Sequence, residues 1–138
     1  MTGSRVVRPG DTVAPIALRT DPVRVQRFGA ATHNAHRIHY DPAAARVEGL
    51  DGAVVMAQLH GTVFFRAAAR FAGDPAAVRS VEWRNRAPAG VGATLTVTGV
   101  VGDIAGDTVT LHLEEHDDTG TLCAAGRAVI RLGPDPVC

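Results

Sequence analysis

Apolar residues recur at helical spacing in the middle of the chain. Between about Val54 and Phe71 they occupy more than one face of a helix, at Val55, Leu59, Val63, Phe64, Ala67, Ala68 and Phe71. At a rise of about 1.5 Å per residue, this segment is about 27 Å long. A helix that is apolar on several faces has little surface left for water, so the pattern predicts a long helix that is mostly buried.

After about residue 80 the apolar spacing changes from about 3.6 residues to about 2, which is typical of strands. Residues 102–106 and 117–120 have the composition of hairpin connections. The C-terminal half therefore predicts an antiparallel meander of four strands. Their apolar positions are Val81 and Trp83, then Leu95, Val97 and Val101, then Val109, Leu111 and Leu113, and finally Leu122, Ala124, Ala128, Ile130 and Leu132.

The N-terminal part predicts a short strand and two helical segments. A turn at residues 8–11 precedes an apolar strand over about residues 13–18. Thr20 or Asp21 can cap a helix that has Pro22 in its first turn, and the pair Asp41-Pro42 predicts another short helical turn. The apolar face of the first helix is expected to consist of Val23, Phe28, Ala30 and Ala31.

Together these elements predict a single α+β domain over residues 1–138. One strand, one long buried helix and a four-stranded meander allow a curved antiparallel sheet to wrap around the helix. A chain of this length buries roughly two thirds of its unfolded surface in one core. Several α+β folds share this order of elements, so the pattern alone leaves the choice among them open.

The charge balance excludes whole classes of partner. The 14 basic and 14 acidic residues cancel, so the chain lacks the positive field that attracts nucleic acid or anionic lipid. We therefore expect neither nucleic acid nor a membrane as a partner. All 14 basic residues are arginine, which indicates a GC-rich bacterial genome and favours an actinobacterial source.

The two cysteines, Cys123 and Cys138, form no disulfide or zinc pattern. Residues 1–10 lack the apolar core of a signal peptide, and no apolar run is long enough to span a bilayer. We expect the protein in the cytoplasm.

Histidines at positions 33, 36 and 39 invite a metal-site interpretation. Positions three apart on a helix diverge by about 60° per step, so the three rings cannot easily share one tetrahedral ion. We expect no metal, and interpret His33 and His36 as loop residues that bond to the backbone.

His39 differs because Ile38 and Tyr40 flank it, which predicts a partly buried imidazole suited to acid–base chemistry. Asn34 can hold a water or a hydroxyl through its amide. A purely structural histidine remains an alternative.

Two motifs carry a family resemblance. Residues 28–41, FGAATHNAHRIHYD, resemble the signature of MaoC-like hydratases, in which an Asp stands five residues before a catalytic His. They are most similar to the branch of 3-hydroxyacyl-thioester dehydratases and mesaconyl-CoA hydratases. Residues 83–88, WRNRAP, resemble the aromatic-x-Asn-x-Ala-Pro stretch of that branch. The resemblance covers about residues 8–132 and implies a hot-dog domain, in which a curved sheet wraps one long helix.

The resemblance also implies a catalytic site. His39 matches the catalytic His, and Asn34 matches the catalytic Asp or its Asn replacement. The family's His-Gly at the helix start corresponds to Met56 and Ala57, so the Ala57 amide would bind the thioester oxygen. His60-Gly61, one turn further on, is a less favoured alternative because its amides are already bonded within the helix.

Reversible hydration of an enoyl thioester, or dehydration of the 3-hydroxyacyl form, follows as the leading hypothesis. The carrier would be coenzyme A or an acyl carrier protein, with no metal or redox cofactor, and Arg84 or Arg86 could bind a phosphate. Relatives often carry two hot-dog halves and this chain has one, so we expect a homodimer with joined sheets and an active site at the interface, or pairing with a second hot-dog subunit. The alternatives are an isomerase, cyclase or thioesterase of the same fold, and a non-catalytic subunit of a heterodimeric dehydratase.

Overall fold

A computed structural model describes residues 5–133 and shows an α+β architecture, as predicted. One antiparallel sheet has the strand order β1-β3-β4-β5-β2. The long helix α3 contacts all five strands of the sheet. The strands are β1 Thr12–Arg19, β2 Val78–Asn85, β3 Thr94–Ala105, β4 Thr108–His116 and β5 Leu122–Arg131, and the helices are α1 Pro22–Ala31, α2 Pro42–Val47 and α3 Ala57–Ala72.

The predicted four-stranded meander is wrong in its order. Strands β3, β4 and β5 do pair consecutively, but β2 pairs with β5 and not with β3, whose other neighbour is β1. Alternation of apolar residues tells which face of a strand is buried, but it carries no information on which strand lies beside it. The strand that precedes the long helix therefore completes the sheet at one edge, and β2 forms the other edge.

One predicted hairpin connection was also too long. Strand β3 continues through Gly102 to Ala105, and the turn itself consists of Gly106 and Asp107. Gly106 has a φ of 62°, a left-handed conformation that glycine adopts without steric cost. The connection predicted at residues 117–120 is confirmed. There the carboxylate of Asp117 accepts hydrogen bonds from the Thr119 and Thr121 amides, at 2.9 and 3.0 Å.

Helix α3 begins at Ala57, three residues later than predicted. The two preceding valines are extended: Val54 forms a bridge with Gly90, and the Val55 amide donates to the Ala89 carbonyl at 2.9 Å. These bonds hold the chain out of the helix until Met56. The predicted burial is confirmed, since every apolar position named for this helix is buried against the sheet.

Helix α1 has the predicted cap but a different buried face. The Asp21 carboxylate accepts a hydrogen bond from the Arg24 amide at 2.9 Å. The residues that pack into the core are Val25 and Gly29, one helical turn apart, whereas Val23 is 56% exposed. Of the predicted face, Phe28 does pack against the core, but Val23, Ala30 and Ala31 are exposed, because a short helix beside the sheet buries only the narrow strip that touches it.

No helix within residues 5–133 is both long and apolar enough to cross a membrane.

Candidate active site

A tight turn after α1 fixes the position of Asn34. His33 has a φ of 54° and turns the chain back, and the Asn34 amide then donates to the Gly29 carbonyl at 2.8 Å. A Cβ atom at position 29 would lie 3.0 Å from the Asn34 carbonyl oxygen and 3.4 Å from Cε of Met56. Only glycine fits this contact without displacing its neighbours. The turn therefore holds the Asn34 backbone directly against Gly29.

His39 lies at the end of a single 3₁₀ turn, Arg37–His39, and is only 9% exposed. Its Nδ1 is 2.7 Å from the Val54 carbonyl oxygen. Because a carbonyl can only accept, Nδ1 must carry the hydrogen of the neutral ring. Nε2 then retains its lone pair, which makes His39 a ready proton acceptor.

Asn34 faces that lone pair. Its Oδ1 accepts a hydrogen bond from the His36 amide at 3.3 Å, which directs the Nδ2 amide group toward Nε2 of His39, 3.4 Å away. The two side chains predicted to act together are therefore adjacent. A water molecule beside Asn34 Nδ2 and His39 Nε2 could bond to both, because the amide nitrogen donates and the imidazole nitrogen accepts.

The other two histidines of the cluster shape the loop. His36 Nδ1 accepts a hydrogen bond from the Ile38 amide at 3.3 Å, the backbone bond predicted for a loop residue, and its Nε2 lies 3.6 Å from the Glu48 carboxylate. The His33 ring is exposed. Within residues 5–133, no three His, Cys, Asp or Glu side chains are grouped as metal ligands.

Asp41 joins this loop to helix α2. The hydrogen bond from the Arg37 guanidinium, followed by that from the Ala44 amide, lowers the pKa of its carboxyl below the usual value. One carboxylate oxygen accepts from the amides of Ala43 and Ala44 and so caps α2, while the other binds Arg37 at 2.7 Å. The ionised carboxylate thereby holds the turn that carries His39.

Ala57 brings a backbone donor to the same place. It is the first residue of α3, and within the described part of the chain its amide has no backbone acceptor. Unbonded amides at a helix N-terminus carry partial positive charge, which stabilises a negatively charged oxygen. A cleft of about 490 Å³ is lined by Asn34, His39 and Ala57 together.

Met56 contributes an apolar wall instead. It is 1% exposed, makes no side-chain cap for α3, and lines a neighbouring cavity of about 590 Å³ that also touches Asn34 and His39. Asn34 and His39 line both spaces. We infer that Met56 limits the room behind the ring and supplies no polar group to it.

Arg84 is not among the residues that line the cleft, and its assignment to substrate binding stays a prediction. In β2 the indole of Trp83 faces α3, where it closely approaches Gly61, so its neighbour Arg84 projects from the opposite face. Arg86 lies just after the strand and does line the cleft, together with Asn85. Strand alternation alone would place Arg84 and Arg86 on the same face, so it is the end of β2 at Asn85 that separates the two arginines.

Sequence reasoning considered His60 only as part of an alternative His-Gly motif, and it missed the buried contact between His60 and Glu115. The alternation of Val109, Leu111 and Leu113 continues to position 115, which therefore lies on the buried face of β4. A charged residue in the apolar phase of a strand was the available signal. Burial raises the pKa of the Cys123 thiol to about 11, which favours the protonated thiol at neutral pH.

Comparisons with known proteins place this arrangement in a family. A sequence model of hydroxyacyl-thioester dehydratase type 2 matches residues 4–91, and no curated protein matches the chain. The fold matches the (R)-hydratase from A. caviae involved in PHA biosynthesis, with a TM-score of 0.85, 20% identity, and 94% of this chain and 100% of that chain covered.

Two further solved structures have the same fold. The ChsH1-ChsH2 complex from Mycobacterium tuberculosis gives a TM-score of 0.83 at 18% identity, covering 93% of this chain and 100% of that one. The MaoC-like dehydratase from Rhodospirillum rubrum gives 0.74 at 17% identity, covering 93% and 95%. The hot-dog fold implied by the sequence motifs is confirmed. Since the sequence model spans well over half of the chain, the protein belongs to the hydroxyacyl-thioester dehydratase type 2 family, a family of hydro-lyases.

Proposed function

We propose that this protein catalyses the reversible hydration of an enoyl thioester at the Asn34–His39 site. One observation carries the proposal: the Nδ1 hydrogen of His39 is bound by the Val54 carbonyl, which leaves a basic Nε2 beside the Asn34 amide. Ala57, whose amide is the first of helix α3, lines the same cleft. A base, a water-binding group and an oxyanion donor are the groups this reaction needs.

In the hydration direction, Asn34 Nδ2 holds a water molecule and His39 Nε2 removes one of its protons. The water oxygen bonds to C3 of the enoyl group, and the electron pair of the C2–C3 double bond moves to the thioester oxygen as an enolate. The Ala57 amide stabilises that charge. The enolate then collapses as His39 returns the proton to C2, so one water is added and His39 is regenerated.

The substrate carrier in this proposal is coenzyme A or the phosphopantetheine of an acyl carrier protein. Arg86 lines the cleft, and within residues 5–133 its side chain makes no ion pair. A guanidinium there suits a phosphate group. The proposed steps add water across the double bond with no net oxidation or reduction, so we propose that no metal or redox cofactor takes part.

The direct test follows hydration of trans-2-butenoyl-CoA by the loss of enoyl absorbance. Measurable turnover by the purified chain, with water added across the double bond in the product, is the expected result. Absence of turnover with enoyl groups of several lengths, on both coenzyme A and an acyl carrier protein, would contradict the proposal.

Truncating Asn34 to alanine is expected to lower kcat about 10- to 100-fold, because the attacking water loses one positioning hydrogen bond. KM should change much less, since the acyl and carrier contacts remain. Steady-state kinetics of Asn34→Ala and Asn34→Asp provide the measurement. The aspartate keeps the size of the side chain and can accept from the water, so it should retain more activity than alanine. Equal kcat values for wild type and Asn34→Ala would contradict the role of the amide.

We propose assembly through the edge of β2. This strand has β5 on one side, and its other edge is unpaired within residues 5–133. An unpaired edge with a continuous row of backbone groups can join the same strand of a second hot-dog subunit. Light scattering after size exclusion is expected to give twice the mass of the chain when it is expressed alone. A monomer or an aggregate would favour a second, different subunit.

A further inference from the structure

A buried histidine–glutamate pair, of which His60 lines the cleft, takes no part in the proposed reaction. His60 Nδ1–H donates to a carboxylate oxygen of Glu115, and the two side chains are 2% and 0% exposed. His60 is in the first turn of α3, one turn after Ala57, and is among the residues that line the same cleft as Asn34 and His39. A fixed polar group thus lies beside the reacting groups.

Core stability does not account for this pair. The second carboxylate oxygen of Glu115, Oε2, is buried and has no hydrogen-bond partner within the described residues. The strand neighbours of Glu115 are Val97 and Ala124, both buried and apolar. Two apolar side chains of similar volume would avoid the desolvation of a charged group and stabilise the core as well or better.

The hydrogen bond to Glu115 orients the His60 imidazole. With Nδ1 bound by Glu115, the other ring nitrogen of His60, Nε2, has no hydrogen-bond partner within residues 5–133. This nitrogen accepts from a hydroxyl when the ring is neutral and donates to a carbonyl when it is protonated. The cleft also has apolar walls at Ile38, Leu50 and Val55. A purely aliphatic acyl chain would remove water from Nε2 and offer no hydrogen bond in its place. An oxygen atom on the acyl chain would supply the hydrogen bond that water had made.

We propose that His60, positioned by Glu115, is a specificity-determining residue that binds an oxygen atom on the acyl chain beyond the reacting double bond. The substrate class is then enoyl or 3-hydroxyacyl thioesters with a hydroxyl or oxo group further along the chain. This inference rests on the proposed hydratase function, because it assigns a substrate class to the same cleft.

The test compares trans-2-hexenoyl-CoA with its 5-hydroxy and 5-oxo derivatives in the wild type and in the double variant His60→Leu/Glu115→Leu. Both residues are replaced together because removing one alone would leave the other buried and unpaired. We expect the wild type to prefer an oxygenated substrate. The double variant should lose about tenfold in kcat/KM on that substrate, the effect of one hydrogen bond, and stay within about twofold on hexenoyl-CoA.

The control variant Glu114→Gln/His116→Gln removes a solvent-accessible His–Glu pair from the same strand, and its selectivity should match that of the wild type. Unchanged selectivity in the double variant would overturn the inference and make the pair purely structural. Equal losses on all three substrates would also overturn it, because His60 would then contact the carrier. If the wild type hydrates hexenoyl-CoA as well as its oxygenated derivatives, only this inference is overturned. If it hydrates none of the three substrates, the proposed hydratase function fails and the inference fails with it. Should the leucine variant fail to fold, His60→Met/Glu115→Met repeats the comparison.

Discussion

Replacing His39 with alanine is expected to lower kcat on an enoyl thioester by about a thousandfold, the usual effect of removing a general acid–base group. Within the part of the chain that the structure describes, His39 is the only side chain that contacts the Asn34 side chain within hydrogen-bond distance. It is therefore the one candidate for the base beside the bound water. The same imidazole both takes the proton from water and returns it to C2 in the proposed reaction. Its loss therefore affects both half-steps.

The measurement is kcat with saturating enoyl-CoA for wild type, His39→Ala and the control His112→Ala. His112 is an exposed histidine of β4, so its removal should leave kcat unchanged. A thermal melt shows whether the loss of the bond from His39 to the Val54 carbonyl has altered the fold. If folded His39→Ala keeps more than a tenth of the wild-type kcat, another group transfers the proton and the mechanism is wrong.

Truncating Phe64 to alanine is expected to destabilise the fold by about 3–5 kcal/mol, the cost of deleting a fully buried aromatic side chain and leaving a cavity. Phe64 is 0% exposed and belongs to the apolar surface of α3 that packs under the sheet. The next residue, Phe65, is 41% exposed on the same helix. Phe65→Ala is thus a matched control that makes the same chemical change at an unburied site.

Chemical denaturation at one protein concentration measures both variants, since assembly would couple stability to concentration. The midpoint for Phe64→Ala should fall far below that of the wild type, with an unchanged slope, while Phe65→Ala stays within about 1 kcal/mol. A reversed order would mean that Phe65 is covered and Phe64 is not. The packing of α3 against the sheet would then differ from that described.

The local parts of the site were predictable from the sequence because their geometry is local. Asn34 and His39 are five residues apart, and a tight turn and one 3₁₀ turn bring them together. Ala57 was assigned from the family resemblance, through its position after His39, since the apolar pattern alone began the helix three residues too early. The class of the fold followed from the same periodicities, since each strand and helix records which of its faces is buried.

What lies beyond one element was decided by the tertiary structure. The order of β2 in the sheet, the outward direction of Arg84 and the start of α3 at Ala57 all depend on which segments pair across the chain. The clearest case is the contact between His60 and Glu115, which are 55 residues apart. By itself the sequence determined the α+β pattern and the Asn34–His39 pair, because periodicity and short-range hydrogen bonds are encoded within a few residues. Only packing of α3 against β4 could bring a histidine and a glutamate together, because side-chain partners across a core are selected by the fit of whole elements.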